Sequence, residues 1–397
     1  MSAVAPIPPH VAPTPAIPSA RRRPIARLAA ATARSVLGAP MLTSKHTDHP
    51  YGGCGMNIRE TLSKLLAGGT LSAAESRAFF EDLLEGLYDD AQIGAALALI
   101  QRRLPTEDEI LGGAMAMRRH VTPVPSEGLS GAVVDTCGTG GARKTFNIST
   151  LAAIVTAAAA PHAVRVAKHG NRGRSGRGSA ELLRELGVNI DATPPVQGRC
   201  LREIGLCFCF AIHHHPAMRH ASTARQSLGF PTIFNVLGPL TNPAKARRQV
   251  MGIYDPALVE PVARVLSRLG CERAMVVHGR DGIDEISTAA PTMIAHVTPE
   301  KVELEEFSAS SLGISRASSA DLDAADLRSA AAIARAVLDG EHGPPRDITL
   351  LNAAAALLVG GAAQTWAESL VLAARAVDTG AATRVLTDLI RLSHEPA

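Results

Sequence analysis

The chain has 397 residues, a formal net charge of +3 and only 3% aromatic residues. That length is sufficient for two or more packed regions around a sizeable core. The near-neutral charge and the scarcity of aromatic rings give no reason to expect nucleic acid or a membrane as the main partner. Six cysteines occur without a CxxC pair, which favours reduced thiols in a cytoplasmic protein over a zinc site or a disulfide framework.

Residues 1–55 differ in composition from the rest of the chain. They are rich in proline, contain the run Arg21–Arg23 and have no acidic residue before Asp48. A segment of this composition cannot bury a core. It is predicted to be a disordered extension or an over-extended translation start, with Met56 as the true start. Because it is rich in arginine and poor in acidic residues, it also resembles an organellar transit peptide.

Residues 56–125 have the pattern of a small helical domain. Four segments in this range carry apolar residues at helical spacing. In the second, Ser72 is followed by Glu75 in a capping-box pattern. In the fourth, Thr106 precedes a first turn rich in acidic residues. The pattern predicts four helices.

Residues 126–397 are predicted to form a large α/β domain, in which short β-rich runs alternate with helices. Such alternation is typical of a mostly parallel central sheet with helices on its faces. A helical interval at 216–228 interrupts the series, and residues 324–392 are predicted to be mostly helical. The candidate strands, in chain order, are AVVDTC, VRVAKH, FCFAI, QVMGIY, RAMVVHG, TMIAHV and KVELEEF.

Two glycine-rich segments in series, 133–150 and 166–183, are the most informative part of the sequence. Each has an apolar strand pattern, a glycine-rich loop and then a helix pattern. Loops of this kind can direct backbone N–H groups and helix N-termini at an anion. The pair therefore predicts a ligand with two separate anionic ends.

Polar residues accompany both glycine-rich segments. Asn147, Ser149 and Thr150 bring three polar groups to the start of a predicted helix, where they can hold phosphate oxygens or simply cap the helix. The run KHGNR at 168–172 ends a predicted strand, and that end is the ligand-binding edge of an open α/β sheet. A solvated loop is the alternative interpretation of this run.

Two further candidates lie towards the C-terminus. The adjacent carboxylates Asp284 and Glu285 suit Mg²⁺, although a solvated acidic pair has the same sequence. Arg225 can bind a carboxylate through two hydrogen bonds or form a surface ion pair. The histidines 213–215 and His220 have no matching ligands spaced around them, so they are predicted not to hold a metal.

Longer motifs resemble the anthranilate phosphoribosyltransferase family. They are GTGG at 138–141, FNIST at 146–150, KHGNR at 168–172, GSAELL at 178–183, HPAMRHASTARQSLG at 215–229, TIFNVLGPLTNPA at 232–244, DGIDEIS at 281–287 and GPPRDITLLNAAAALLVGG at 343–361. The resemblance covers residues 56–397. It implies a homodimer of two-domain subunits that transfers the phosphoribosyl group of phosphoribosyl pyrophosphate (PRPP) to anthranilate in tryptophan biosynthesis.

The resemblance also implies roles for individual residues. The catalytic residues would be Lys168, Asn171 and Arg225. Anthranilate would contact Gly138, Asn171 and Arg225, with Arg225 facing its carboxylate. Two Mg²⁺ ions would be held by Ser149, Asp284 and Glu285. PRPP would be bound by Gly138, Gly141, Thr145, Asn147, Ile148, Ser149, Thr150, Lys168, His169, Gly170, Asn171, Arg172, Ser175 and Ser179.

Both glycine-rich loops depart from the family pattern. The first is one residue shorter and lacks the aspartate that follows GTGG, with Ala142–Thr145 in its place. The second is also one residue shorter, has one serine in place of two, and has Glu181 where the family has aspartate. Because both changes introduce arginine or lysine, the added charge can offset lost hydrogen bonds. We predict activity with a raised KM for PRPP.

Two other functions compete with this prediction. A catalytically weakened or silent relative that acts as a binding protein would fit the altered loops. A pyrimidine-nucleoside phosphorylase shares the fold, but its loop has Ser-Thr-Gly-Gly after Lys-His, whereas this chain has Gly170–Arg172 there.

Overall fold

Four helices precede the first strand in the computed structural model, which describes residues 57–173 and 176–396. They are α1 (Ile58–Leu66), α2 (Ala73–Glu85), α3 (Asp90–Arg102) and α4 (Glu107–Arg119). Each begins at a capping box, and those of α2 and α4 use the predicted caps Ser72 and Thr106. The four predicted helices are present. The predictions for residues 1–55 and for Met56 lie outside the described residues.

The described strands form a single seven-stranded sheet of order β3-β2-β1-β4-β5-β6-β7. The pairs among β1 to β5 are parallel, and the β5–β6 and β6–β7 pairs are antiparallel. The predicted mostly parallel sheet is therefore confirmed. The strands are β1 (Ala132–Gly138), β2 (Val164–Gly170), β3 (Leu206–Phe210), β4 (Arg248–Gly252), β5 (Arg273–Gly279), β6 (Thr292–Val297) and β7 (Val302–Phe307).

Helices cover both faces of the sheet. Alternate residues of a strand point to opposite faces, so Val250 belongs to a core shared with α5 and α13, whereas Met251 packs in a core shared with α1–α4 and α11. The helices after β1 are α5 (Ile148–Ala159), α6 (Ser179–Glu185), α7 (Pro194–Glu203), α8 (Ala211–His214), α9 (Arg219–Leu228), α10 (Ile233–Leu237), α11 (Val259–Arg268), α12 (Leu327–Leu338), α13 (Pro344–Gly360), α14 (Trp366–Asp378) and α15 (Ala381–His394).

The sequence placed the end of β3 two residues too late. The candidate strand FCFAI continued to Ile212, but β3 ends at Phe210, and α8 begins at Ala211. The chain turns there because the N–H of His215 donates to the carbonyl of Ala211, which closes one helical turn. The helical interval predicted at 216–228 follows as a short 3-10 turn and α9.

Helix α9 joins the α/β part of the chain to the four N-terminal helices. It packs against α2 and α3, although it follows β3 in sequence. Next to it, the rings of Phe80 in α2 and Phe234 in α10 meet edge to face at 5.4 Å. Gly113 of α4 leaves room for Leu237, because a Cβ atom there would lie 2.8 Å from Leu237 Cδ1. None of the described helices is long and apolar enough to cross a lipid bilayer.

Candidate active site

A cavity of about 500 Å³ opens at the carboxyl ends of β1 and β2. Strand β1 lies between β2 on one side and β4 on the other, so the chain changes direction across the sheet at this point. Such a switch point in an open α/β sheet is the usual place for a ligand. The cavity extends from two glycine-rich loops to the N-terminal ends of α5 and α6 and the helices α9 and α10.

Glycines at the strand ends allow Asp284 to enter the cavity. A Cβ atom at Gly138 would lie 2.6 Å from Asp284 Oδ2, and one at Gly252 would lie 1.7 Å from the carbonyl oxygen of Asp284. Both glycines end their strands and face each other across the β1–β4 pair. In the first loop, residues 139–146, Gly140 and Gly141 have φ values of +62° and +94°, which favour glycine.

Asp284 and Glu285 form an adjacent pair of half-buried carboxylates. Burial raises the pKa of both, and the neighbouring Asp284 further raises the pKa of Glu285, to about 8. Glu285 Oε1 accepts the backbone N–H of Ser149 at 3.0 Å, which brings the start of α5 to the same point. Two unfavourably buried carboxylates beside a serine fit Mg²⁺, which takes oxygen ligands and keeps water and substrate phosphate.

Lys168 lies beneath the start of α5. Its side chain is 3% exposed. The Nζ atom donates to the carbonyl of Thr136 at 2.5 Å and to Ser149 Oγ at 3.3 Å. Burial lowers its pKa, and the nearby Asp135 opposes that change. Lys168 therefore delivers positive charge to the base of the cavity from a fixed position.

The histidines of the 213–215 run have structural partners. His215 Nε2 lies 3.2 Å from Nε2 of His169. His214 makes hydrogen bonds through both ring nitrogens, to the carbonyl of Thr122 and to Gln197 Oε1. Burial lowers the pKa of His169 well below its usual value and that of His215 to about 4. Both rings are therefore neutral near pH 7.

The start of α5 is not an ordinary helix cap. Asn147 has a left-handed backbone with φ of +69°, and its side chain makes no capping hydrogen bond. Its Nδ2 donates to the carbonyl of Arg177 at 3.2 Å. Asn147 Oδ1 and Thr150 Oγ1 are buried without a hydrogen-bond partner among the described residues. Since buried polar groups are normally paired, both atoms are suited to contact a ligand.

Arg225 lines the part of the cavity that α9 and α10 border. Its guanidinium carbon lies 5.1 Å from the ring centre of Phe234, a cation–π contact that orients the side chain. Asn235 of α10 ties this part to the first loop, because its Nδ2 donates to the carbonyl of Thr139 at 3.0 Å. A guanidinium group that can donate two hydrogen bonds, next to the Phe234 ring, suits a ligand with an aromatic ring and a carboxylate.

The structure brings nearly all of the predicted site residues to one cavity. Ile148 is the exception, because its side chain is fully buried in the core. Ser175 lies outside the described residues. The predicted residues that line the cavity are Gly138, Gly141, Thr145, Asn147, Ser149, Thr150, Lys168, His169, Gly170, Asn171, Arg172, Ser179, Arg225, Asp284 and Glu285.

Several other lining residues were not among the predicted contacts. Asn235, a polar residue in the apolar run TIFNVLGP, could have been noticed from that contrast. Arg143 and Arg177 belong to the shortened loops, but nothing in the sequence indicates which groups they contact. The lining residues without a predicted contact are Cys137, Thr139, Gly140, Ala142, Arg143, Lys144, Gly173, Arg177, Gly178, Ala211, Pro231, Phe234, Asn235, Gly238 and Pro239.

Comparison with protein families matches this two-part architecture. Residues 130–383 match the family model described as "Glycosyl transferase family, a/b domain", and residues 59–121 match "Glycosyl transferase family, helical bundle domain". The chain is therefore a glycosyl transferase of the class that combines a helical bundle with an α/β domain.

Comparison with individual relatives identifies one family within this class. The chain is 45% identical to the anthranilate phosphoribosyltransferase of Moorella thermoacetica, over 84% of this chain and 97% of that protein, and 46% identical to that of Caulobacter vibrioides, over 85% and 97%. It belongs to the anthranilate phosphoribosyltransferase family.

Solved structures of the family share the fold. The Thermus thermophilus enzyme matches with a TM-score of 0.77 at 35% identity, over 84% of this chain and 99% of that one. The Saccharomyces cerevisiae enzyme in complex with PRPP and Mg matches with a TM-score of 0.76 at 25% identity, over 85% and 97%. The predicted fold class, a helical domain plus a mostly parallel α/β domain, is confirmed.

Proposed function

We propose that this chain transfers the 5-phosphoribosyl group of PRPP to the amino nitrogen of anthranilate, as its family membership indicates. The products are N-(5-phospho-β-D-ribosyl)anthranilate and pyrophosphate, and the reaction belongs to L-tryptophan biosynthesis. The observation that carries the proposal is the single cavity that joins two glycine-rich loops, the Asp284–Glu285 pair and Arg225. No described feature favours a phosphorylase or a silent binding protein.

The glycine-rich end of the cavity suits PRPP. Backbone N–H groups of the first loop and of the start of α5 can surround phosphate oxygens. The Thr150 hydroxyl can donate to a phosphate oxygen, and Asn147 Oδ1 can accept from a ribose hydroxyl. The unpaired, buried state of both atoms supports these roles. The rest of the proposed PRPP set is Gly138, Gly141, Thr145, Ser149, Lys168, His169, Gly170, Asn171, Arg172 and Ser179, with Ile148 through its backbone.

Ser149, Asp284 and Glu285 are the proposed ligands of two Mg²⁺ ions. Bound Mg²⁺ stabilises the negative charge that develops on the departing pyrophosphate. The raised pKa values of the two carboxylates support the assignment, because a divalent cation relieves the burial of their charge. Lys168, fixed at the base of the cavity, adds positive charge on the same side.

Arg225, Asn171 and Gly138 are the proposed contacts of anthranilate. The Arg225 guanidinium faces the carboxylate and directs the amino group towards the ribose. The aniline nitrogen is neutral at pH 7, so the reaction needs no strong general base. Attack from the face opposite the leaving group inverts the anomeric carbon. Catalysis then comes chiefly from positioning and from fixed charges.

A fluorescence assay of anthranilate consumption tests the proposal. Anthranilate fluorescence should fall only when both PRPP and Mg²⁺ are present. Absence of turnover at saturating concentrations of both substrates would overturn the assignment.

We further propose a homodimer and a cytoplasmic location. Leu66 of α1 and Met115 of α4 are large apolar side chains exposed on the helical part, by 76% and 36%, which suits a subunit contact there. The five described cysteines are free thiols, even though Cys207 Sγ and Cys209 Sγ lie 3.8 Å apart, which suits a reducing compartment. Light scattering on the purified protein measures the oligomeric state.

We also propose a division into a small helical domain at 56–125 and a large α/β domain at 126–397. The interval at 213–230 would belong spatially to the small domain. The packing of α9 on α2 and α3 supports this division.

A further inference from the structure

Two arginines of the shortened loops reach the same stretch of chain, residues 318–324, called here the anchor segment. Arg143 of the first loop donates through Nη2 to the carbonyl of Ser319 and to Asp323 Oδ1, both at 2.5 Å. Arg177, which precedes α6, donates through Nη1 to the carbonyl of Ala324. The anchor segment therefore connects two loops that follow different strands.

The anchor segment has a fixed conformation. Leu322 is fully buried in the core beneath it, and Ala324 is 7% exposed. The backbone N–H of Ser318 donates to Asp321 Oδ2 at 2.7 Å, and that of Asp321 donates to Ser318 Oγ at 3.3 Å. A residue that binds this segment is therefore held relative to the core of the α/β domain.

The charge of Arg143 is already paired. Besides its hydrogen bond to Asp323, its Nη1 lies 3.9 Å from Asp281 Oδ2, a charge contact without a hydrogen bond. An arginine shared between two carboxylates cannot present its full charge to an anion. The sequence suggested that the added basic residues offset lost contacts by charge alone, and these contacts argue for a different role.

The backbone of each arginine also makes a hydrogen bond to a segment that contributes residues to the cavity. The backbone N–H of Arg143 donates to the carbonyl of Gly282 at 3.1 Å, two residues before Asp284. The carbonyl of Arg177 accepts from Asn147 Nδ2 at 3.2 Å, at the start of α5. The side chain of each arginine contacts the anchor segment, and its backbone contacts an element that lines the cavity.

We propose that Arg143 and Arg177 are positioning residues that hold the first loop and the turn before α6 on the anchor segment and thereby set the affinity for the pyrophosphate end of PRPP. The inference rests on the proposed function. Binding groups that are already held in place lose less conformational entropy when the anion binds. The arginines then act through Asp323 and the backbone of the anchor segment, without a direct contact to the anion.

Asp323 provides the decisive experiment, because the two possible roles of Arg143 predict opposite effects. If Arg143 is a positioning residue, Asp323→Ala removes one of its two contacts with the anchor segment, loosens the first loop and raises the KM for PRPP. If Arg143 binds the anion directly, the same change frees its charge and lowers that KM. We expect Asp323→Ala and Arg143→Met each to raise the KM for PRPP about fivefold, the order expected for loss of a partly exposed ion pair.

Further variants separate this role from a general loss of structure. The double variant should be no worse than Arg143→Met alone, because that change already removes the contact with Asp323. Arg143→Lys, which can still pair with Asp323, should restore most of the affinity. Arg177→Met should also raise the KM for PRPP.

The kcat and the KM for anthranilate should stay within about twofold of wild type in all of these variants, the spread usual for surface changes. Arg264→Met, which breaks an exposed ion pair with Glu260 on α11, is the matched control.

Calorimetric titration with Mg²⁺ and pyrophosphate makes the test independent of turnover. The same variants should bind pyrophosphate more weakly in the same order. A lower KM or tighter pyrophosphate binding in Asp323→Ala, or additive effects in the double variant, would overturn the inference. Wild-type protein that binds pyrophosphate but consumes no anthranilate would instead contradict the proposed function alone.

Discussion

Gly138 lies directly against the carboxylate of Asp284, so that a Cβ atom at Gly138 would be 2.6 Å from Asp284 Oδ2. Glycine at this strand end therefore determines where one proposed metal ligand can lie. The contact is with the tip of a side chain, which can rotate away without disturbing the backbone.

Gly138→Ala should weaken Mg²⁺ binding with little loss of stability. The added methyl group displaces the Asp284 carboxylate, and changes that misorient a metal ligand weaken metal affinity by about 10- to 100-fold. The measurement is the Mg²⁺ concentration at half-maximal activity. Gly94→Ala, in α3 with open space around it, is the matched control and should change neither activity nor Mg²⁺ dependence. An unaltered Mg²⁺ requirement in Gly138→Ala would contradict the placement of Asp284 in the metal site.

Glu285→Gln should lower the activity and raise the stability of the metal-free protein. Burial and the neighbouring carboxylate raise the pKa of Glu285 to about 8, so a neutral side chain there removes an unfavourable charge. We expect a higher Tm in EDTA and a loss of kcat/KM of about 100-fold or more, since several kcal/mol of charge stabilisation is lost. Thermal unfolding with and without Mg²⁺ measures the first effect. If Mg²⁺ stabilises the variant as strongly as wild type, Glu285 is not a ligand.

Arg225→Ala should chiefly weaken anthranilate binding. Loss of a bidentate charged contact raises the KM for anthranilate by about 10- to 100-fold, the equivalent of about 1.5–3 kcal/mol. The KM for PRPP should change little, because Arg225 is proposed to contact anthranilate and not PRPP. Arg219→Ala, on the exposed face of the same helix, is the control. An unchanged KM for anthranilate would show that the carboxylate binds elsewhere.

The contribution of His215 to stability should fall as the pH drops below about 6.5, the ordinary pKa of histidine. The folded-state pKa of His215 is lowered to about 4, below its unfolded value, because the ring is buried. Between those values the unfolded chain binds more protons than the folded one, so acid favours unfolding. His215 alone should cost about 1.4 kcal/mol between about pH 7.5 and pH 5.5.

Urea unfolding of wild type and His215→Gln at the two pH values measures this contribution. The variant should lose less free energy of unfolding over that interval than wild type. His169→Gln, the neighbour of His215 whose pKa burial also lowers, should show a change of the same sign. Equal losses in wild type and His215→Gln would mean that His215 is not the group responsible.

Local sequence patterns were sufficient for most of the fold. Capping boxes such as Ser72–Glu75 predicted helix starts because they satisfy backbone donors within one turn. The alternation of strands and helices predicted the parallel sheet because parallel strands need a crossover. The end of β3 was missed, since FCFAI is equally apolar on both sides of the turn at Ala211.

The site was only partly predictable, because local patterns do not encode contacts between residues that are distant in sequence. Residues such as Lys168 and Asp284 follow predicted strands, so the rule that ligands bind at the carboxyl edge brought them together. The contact of Arg143 with Asp323 joins residues 180 positions apart, and no local pattern encodes it. The left-handed conformation of Asn147 was also hidden, because an asparagine before a helix normally predicts a cap.

The packing of α9 on α2 and α3 has a consequence for any attempt to dissect the chain. A recombinant fragment that stops near residue 125 would leave the surfaces of α2 and α3 that α9 covers exposed to water. Chimeras between relatives would have the same defect if their crossover were made there, because bundle and helix would come from different parents. A viable exchange must therefore transfer residues 216–237 together with the first four helices.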